Sequence, residues 1–302
     1  MELSDLAVFV EAVRAGSLAA AGRRLGINAM AASRRLAALE TELGIRLVHR
    51  TTRSLSPTAE GETFLPHAQA MLDEQASALA ALRPSTSGVS GQLRVTVSAA
   101  FGRKVVAPMI APFMRDNPEL QVDLLLTDDQ VDIVAQGIDV AIRIAKLRDN
   151  HLVARRLADN PRRLVASPAY LRAAGTPGVL AALPDHACLP ASGTSHWVFN
   201  RNGKTVRQRV TGRFTASSVE ALHQACLGGL GIANLSAWDV EDDLGSGRLR
   251  EIRLADAEPE PLAIWAVYPT ARMVPAKVRA FVDALEQILR RSPHQAADGQ
   301  SA

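Results

Sequence analysis

Apolar residues recur at three- and four-residue spacing through the first eighty positions, then give way to alternating and continuous apolar runs separated by shorter helical stretches. The chain therefore reads as helical first and mixed afterwards. Leu6, Phe9, Val10 and Val13 form the inner stripe of a first helix that ends near Ala15. In the stretch from Ser17 to Leu43, Ser17 can cap a second helix and Gly26 can stop it, with Leu18, Ala21 and Leu25 on one face. Asn28 can cap a third helix, whose buried side is Ala32, Leu36, Leu39 and Leu43 and whose other side carries Ser33, Arg34 and Arg35.

Two short helices joined by a tight turn, the second polar and cationic outside, have the geometry that enters a DNA major groove. An ordinary helical hairpin is the competing reading. Downstream, Arg46, His49, Arg50, Thr51, Thr52 and Arg53 place donors along a short loop able to reach phosphates or a minor groove. After Pro57, Thr58 can cap a long helix in which Leu65, Ala68, Leu72, Gln75, Leu79 and Leu82 recur for nearly three heptads. That spacing predicts a dimerisation seam; a helix packed on its own domain is the alternative, and Pro66 and Gln75 depart from an ideal coil.

The run RPSTSGVSG, from Arg83 to Gly91, is rich in Pro, Ser and Gly and marks a domain boundary. Beyond it, strands are expected at Leu93 to Val97, Leu120 to Leu126 and Val140 to Ile144, with a helix from Val105 to Met114 and a short one near Val131. A second series runs from Leu164 through the Tyr170 and Leu180 regions to Val206–Val210, a helix from Val219 to Leu227, and Ile232 to Leu235. AIWAVYP returns as a strand at Ala263, and Val278 to Leu289 closes as a helix. Such alternation predicts parallel sheet, in which ligands bind at the carboxyl ends of strands. That rule selects the loop from Ser98 through Ala100 and Phe101 to Gly102, together with Thr127 and Asp128. Ser217 and Ser218 at a helix start, and Asn234 at a strand end, are further candidates, although Ser and Thr there also serve as caps. Arg143 could pair with an acidic effector or with a structural partner such as Asp139 or Asp128.

The order DLAVFVEAVRAGSLAAAGRRLGI, then ASRRLAALETELGIRLVHRTTRSLSPTAEGE, closely resembles the amino-terminal domain of LysR-type transcriptional regulators, and the resemblance continues over nearly the whole chain. Where that family usually has Ser, Gln, then Pro or Ser leading into the recognition helix, this chain has Asn28, Ala29 and Met30. The resemblance implies a winged helix-turn-helix over residues 1–59, a dimerising linker helix and hinge over 60–90, and a two-lobed α/β effector domain, like periplasmic solute-binding proteins, over 91–291. Residues 292–302 are polar and expected to be disordered. It also implies that Asn28, Ala29, Met30, Ser33 and Arg34 face base edges or adjacent phosphates of an operator duplex while Arg50, Thr51 and Arg53 hold its backbone. Leu65, Leu72, Leu79 and Leu82 would pair two subunits, and dimers would assemble into a homotetramer. Ser98, Ala100, Phe101 and Thr127 of one lobe, with Ser192, Gly193 and Thr194 of the other, would line the effector cleft. The expected ligand is a small molecule such as a small carboxylate, and RNA polymerase is a partner if the regulator activates.

Composition adds location to this picture. Net charge is +3, yet residues 1–58 hold eight Arg against five acidic residues and the rest of the chain carries 26 of each sign. The excess sits where the DNA contacts are expected. Cys188 and Cys226 are far apart and fit a reducing cytoplasm, although peroxide sensors with this architecture use a reactive pair. The start lacks a basic leader, and no apolar stretch reaches eighteen residues, so neither export nor a membrane span is expected. The seven histidines are dispersed, without metal spacing, and no nucleophile turn or phosphate loop occurs, so no cofactor, metal or catalysis is expected. The other readings are a redox-sensing regulator, a solute-binding protein without regulatory role, and an enzyme.

Overall fold

Three helices close over the first apolar stripes: α1 (Leu3–Ala15), α2 (Leu18–Arg24) and α3 (Ala29–Leu43). They belong to a computed structural model of the chain, which describes residues 1–50, 55–81, 88–134, 136–146, 153–269 and 274–291. Ser17 accepts from the Ala20 amide at 3.5 Å and Asn28 Oδ1 from the Ala31 amide at 2.8 Å, each satisfying an orphan helix donor. Between the two helices Gly26 takes φ +67°, a left-handed turn that residues with a Cβ rarely adopt. Leu6, Phe9, Ala21, Ala32, Leu36 and Leu39 are fully buried in one cluster.

A two-stranded antiparallel wing follows, β1 (Val48–Arg50) against β2 (Leu55–Pro57), and then α4 (Ala59–Ala81). Thr58 Oγ1 accepts from the Gly61 amide at 3.0 Å. Helix α4 lies close against the segment that leads into the wing, so that a Cβ at Gly61 would sit 2.0 Å from the Leu47 carbonyl oxygen. This packing corrects the expected seam at its first position. Leu65 is 4% exposed and, with Ala68, completes the chain's own amino-terminal core, against which Leu72 is partly buried. The head's packing unit thus runs past residue 59 into α4. Leu79 is 54% exposed, and Leu82 lies outside the described residues.

The rest forms two lobes. In the first, a five-stranded sheet has the order β4-β3-β5-β13-β6: β3 (Gly91–Val97), β4 (Leu120–Leu126), β5 (Val140–Ala145), β6 (Val153–Asn160) and β13 (Leu262–Tyr268). Strand β3 is parallel to both β4 and β5, whereas β13 runs antiparallel to β5 and β6. After β3 the chain runs helically through α5 (Ala99–Phe101), a π-helical turn (Gly102–Val106) and α6 (Ala107–Asp116). Leu93, Val95 and Val97 alternate into a core closed by Val278, Phe281, Val282, Leu285 and Leu289 of α10 (Ala276–Arg291). The helix expected near Val131 is a turn, ended by Gly137 at φ +59°.

The second lobe centres on β7 (Arg162–Ala166), flanked by β10 (Ala233–Ser236) and β11 (Arg250–Ile252), with a second sheet of β8 (His196–Arg201), β9 (Lys204–Arg209) and β12 (Glu258–Pro259). Every strand pair in these two sheets is antiparallel, so the expected parallel sheet holds only for β3, β4 and β5. Helices α7 (Pro168–Ala174), α8 (Val219–Leu227) and α9 (Ala237–Gly245) complete the lobe. The chain crosses between lobes twice, from β6 to β7 and from β12 to β13.

Candidate DNA-reading face and inter-lobe cleft

Burying Ala32, Leu36 and Leu39 turns the other side of α3 outward. Asn28, Ala29, Met30 and Arg34 are exposed, Met30 to 73%, and Ser33 and Arg35 are half-buried. The first turn of α3 also carries no acidic residue, so its positive dipole end is open to a phosphate. Glu40 fixes the wing to this helix, its Oε1 accepting from the Leu47 amide at 2.9 Å and the Val48 amide at 3.3 Å. Arg46 and His49 are exposed. Arg50 belongs to β1, but its side chain, like Thr51 and Arg53, lies outside the described residues.

In the first lobe the Thr127 amide donates to the Val97 carbonyl at 3.0 Å, which sets Thr127 beside Ser98 at the carboxyl ends of β3 and β4. In the second, the Ser192 amide donates to the Ala216 carbonyl at 2.9 Å, which brings the Ser192 and Ser217 segments together. Ser192, Thr194 and Ser217 are exposed, and Ser98, Thr127 and Asn234 are half-buried. Ser218, rather than Ser217, caps α8, accepting from the Ala221 amide at 3.5 Å. Helix α5 lies against α8, so the two polar groups approach the same inter-lobe gap. Two expected lining residues are not open to it. Ala100 and Phe101 are 2% and 0% exposed and offer no free surface to a ligand, because Phe101 is covered at the lobe boundary by Trp238 of the second lobe, which meets it edge-on at 5.1 Å.

Neither structural partner considered for Arg143 is taken up. Asp139 pairs with Lys277 at 3.4 Å and accepts from the Arg94 amide, while Asp128 Oδ1 accepts from the Ala99 amide at 3.0 Å. Arg143 is half-buried, and burial lowers its pKa. Asp128 thereby places its carboxylate at the amino end of α5, where the helix dipole favours a negative charge.

Several residues at the hinge escaped the sequence reading. Arg162 Nε donates to Asn234 Oδ1 at 3.3 Å, and burial, opposed by the charge of Asp239, lowers its pKa to about 10. Trp238 Nε1 donates to Asn160 Oδ1 at 2.8 Å, and Asn160 Nδ2 to Ser236 Oγ at 3.0 Å. Two ion pairs leave the π-helical turn for the second lobe: Arg103 to Glu220 at 2.6 Å and Lys104 to Asp239 at 2.7 Å. Tryptophan beside aspartate at a helix start was the one local signal; the partners lie over seventy residues away.

The two cysteines sit in different apolar clusters, both fully buried, and burial pushes each thiol up to about 12. Such thiols carry almost no thiolate near neutral pH. Among the described residues no helix is long and apolar enough to cross a membrane.

A winged helix-turn-helix head joined by a long helix to a two-lobed sensor defines a one-component bacterial transcription regulator, and the chain belongs to the LysR family. Residues 3–62 match the bacterial regulatory helix-turn-helix domain of the lysR family and residues 86–290 the LysR substrate binding domain. The chain is 35% identical over 289 residues to the transcriptional regulator DmlR of Escherichia coli, covering 94% of each chain. It is also 35% identical over 309 residues to PtxR of Pseudomonas aeruginosa, covering 99% of this chain and 97% of that one. The solved structure of CrgA, a LysR-type transcriptional regulator from Neisseria meningitidis, superposes with a TM-score of 0.61 at 31% identity, over 96% of this chain and 99% of that one.

Proposed function

We propose that the cap and first two turns of α3 read base edges through Asn28, Ala29, Met30, Ser33 and Arg34, while the wing around Arg50, Thr51 and Arg53 holds the phosphate backbone. The observation that carries this reading is the outward face of α3, polar and cationic with a capped, acid-free amino end. The effector is a small carboxylate held between the lobes by Ser98, Thr127, Ser192, Thr194, Ser217 and Asn234, with Arg143 as its counter-charge. Support for the carboxylate comes from Arg143, which is half-buried and whose pKa is shifted by burial with no charged partner acting on it. Effector binding shifts the population of lobe arrangements and, through the linker helix, the spacing of paired heads. The working unit is a cytoplasmic homodimer assembling to a tetramer, contacting RNA polymerase if it activates.

Fluorescence anisotropy on a selected operator tests the head: Arg34→Ala should weaken binding while a scrambled duplex is bound as before. A thermal-shift screen of small carboxylates tests the cleft. A hit that stabilises the wild-type protein but not Arg143→Gln supports the assignment; equal stabilisation of both removes Arg143 from the site.

A further inference from the structure

Lys104 and His223 meet on one carboxylate from opposite lobes. Lys104, on the π-helical turn of the first lobe, places Nζ 2.7 Å from Asp239 Oδ1; His223, on α8 of the second, places Nδ1 3.2 Å from Asp239 Oδ2. The other face of the imidazole is also filled, with Nε2 2.7 Å from Asp243 Oδ2. His223, Asp239 and Asp243 are 2%, 1% and 3% exposed, and both Asp239 oxygens are shut from solvent. The Asp239 charge therefore faces a fixed cation, Lys104, from the first lobe and an imidazole, a cation only when protonated, from its own lobe. A π-turn within a helical run is itself uncommon and often marks a functional position.

We propose that Lys104, Asp239, His223 and Asp243 form a proton-linked latch between the lobes, closed when His223 is neutral and loosened when it is charged.

An imidazole between two carboxylates can donate to both only as imidazolium; the neutral ring donates to one and turns a lone pair on the other. Burial works to lower the His223 pKa, but the bond and charge of Asp239, with Asp243, outweigh it and leave the pKa raised, against the opposing charge of Lys104. Other charged groups around the ring are Glu220 on its own helix with Arg103 bound to it, Asp242 on α9, Arg248 on Asp243, and Arg162, whose charge acts on Asp239. Among these side chains only histidine has an ordinary pKa close to neutrality.

The direction of the switch follows from linkage. With the lobes closed, the Lys104 charge opposes protonation of His223. With the lobes apart, Lys104 is gone and Asp239 holds the imidazolium proton more firmly. Protons thus bind the open form better, and lowering the pH opens the latch. Raising it leaves Asp239 with Lys104 as its remaining partner and closes the lobes.

The fold supplies a reporter. Trp238, next to Asp239, packs edge-on against Phe101 of the first lobe at 5.1 Å, so parting the lobes exposes its ring. In the full-length protein carrying Trp197→Phe and Trp265→Phe, Trp238 emission should shift to the red as pH falls, with one midpoint above about pH 6.5. His223→Gln should hold the blue, high-pH emission throughout, and Lys104→Gln the red, low-pH emission. Circular dichroism of each variant reads out folding; if a variant fails to fold, the titration of the parent protein still decides. A flat parent titration, an unchanged transition in either folded variant, or one shared plateau for both would overturn the latch.

Discussion

On the proposed reading, Arg34 is the residue that carries base specificity. It is exposed on α3, in the second turn after the Asn28 cap. A bidentate base contact would make Arg34→Ala cost about 1–3 kcal/mol on the operator and nearly nothing on scrambled DNA. An equal loss on both in an anisotropy titration would reduce Arg34 to a phosphate contact. Glu40 has a structural role that can be separated from reading. Glu40→Ala strips the Leu47 and Val48 amides of their buried acceptor and should lower stability by about 1–3 kcal/mol in urea unfolding, whereas Glu40→Gln retains an oxygen there. The cysteines bear on the redox reading. With thiols near 12, Cys188 and Cys226 should resist iodoacetamide at neutral pH until the protein is unfolded, as followed by mass spectrometry; rapid labelling of the folded protein would reopen it. Ser17, Asn28 and Thr58 were legible because a cap is a local event, decided within three residues. The pairing of Lys104 with Asp239 was not, because 135 residues separate partners that only the fold brings together.

Helix α4 divides its work along its length. Its first turns complete the winged-helix core and its last turns present an exposed Leu79. Leu65→Ala should therefore cost the head about 2–5 kcal/mol of stability without releasing subunits. Leu79→Glu should release subunits in sedimentation velocity while the head keeps its melting behaviour. Heptad spacing announced one apolar stripe and could not say which partner each position meets, since an intrachain core and an intersubunit seam demand the same periodicity. The strands carry a similar lesson. Leu93 to Val97 and Leu120 to Leu126 were readable from their apolar runs. Strand β6 escaped because ARRLADN alternates poorly and gains its place by pairing with β13, more than a hundred residues on. Strand direction was inferred from helix alternation, and β13, returning late, runs against that rule.

Across the whole molecule, the cationic surplus and the outward face of α3 share the amino-terminal head, while the two lobes follow α4 in the chain. That separation lets a ligand act on DNA without touching it. Two heads related by dimer symmetry should read inverted half-sites separated by about one turn of DNA or a multiple of it. In vitro selection of the full-length protein on a random duplex library tests this most directly. The expected result is enrichment of an inverted repeat bound at least about a thousandfold more tightly than its scrambled counterpart at physiological salt. A pool that remains random after repeated rounds, retained only by steeply salt-dependent binding, would contradict it.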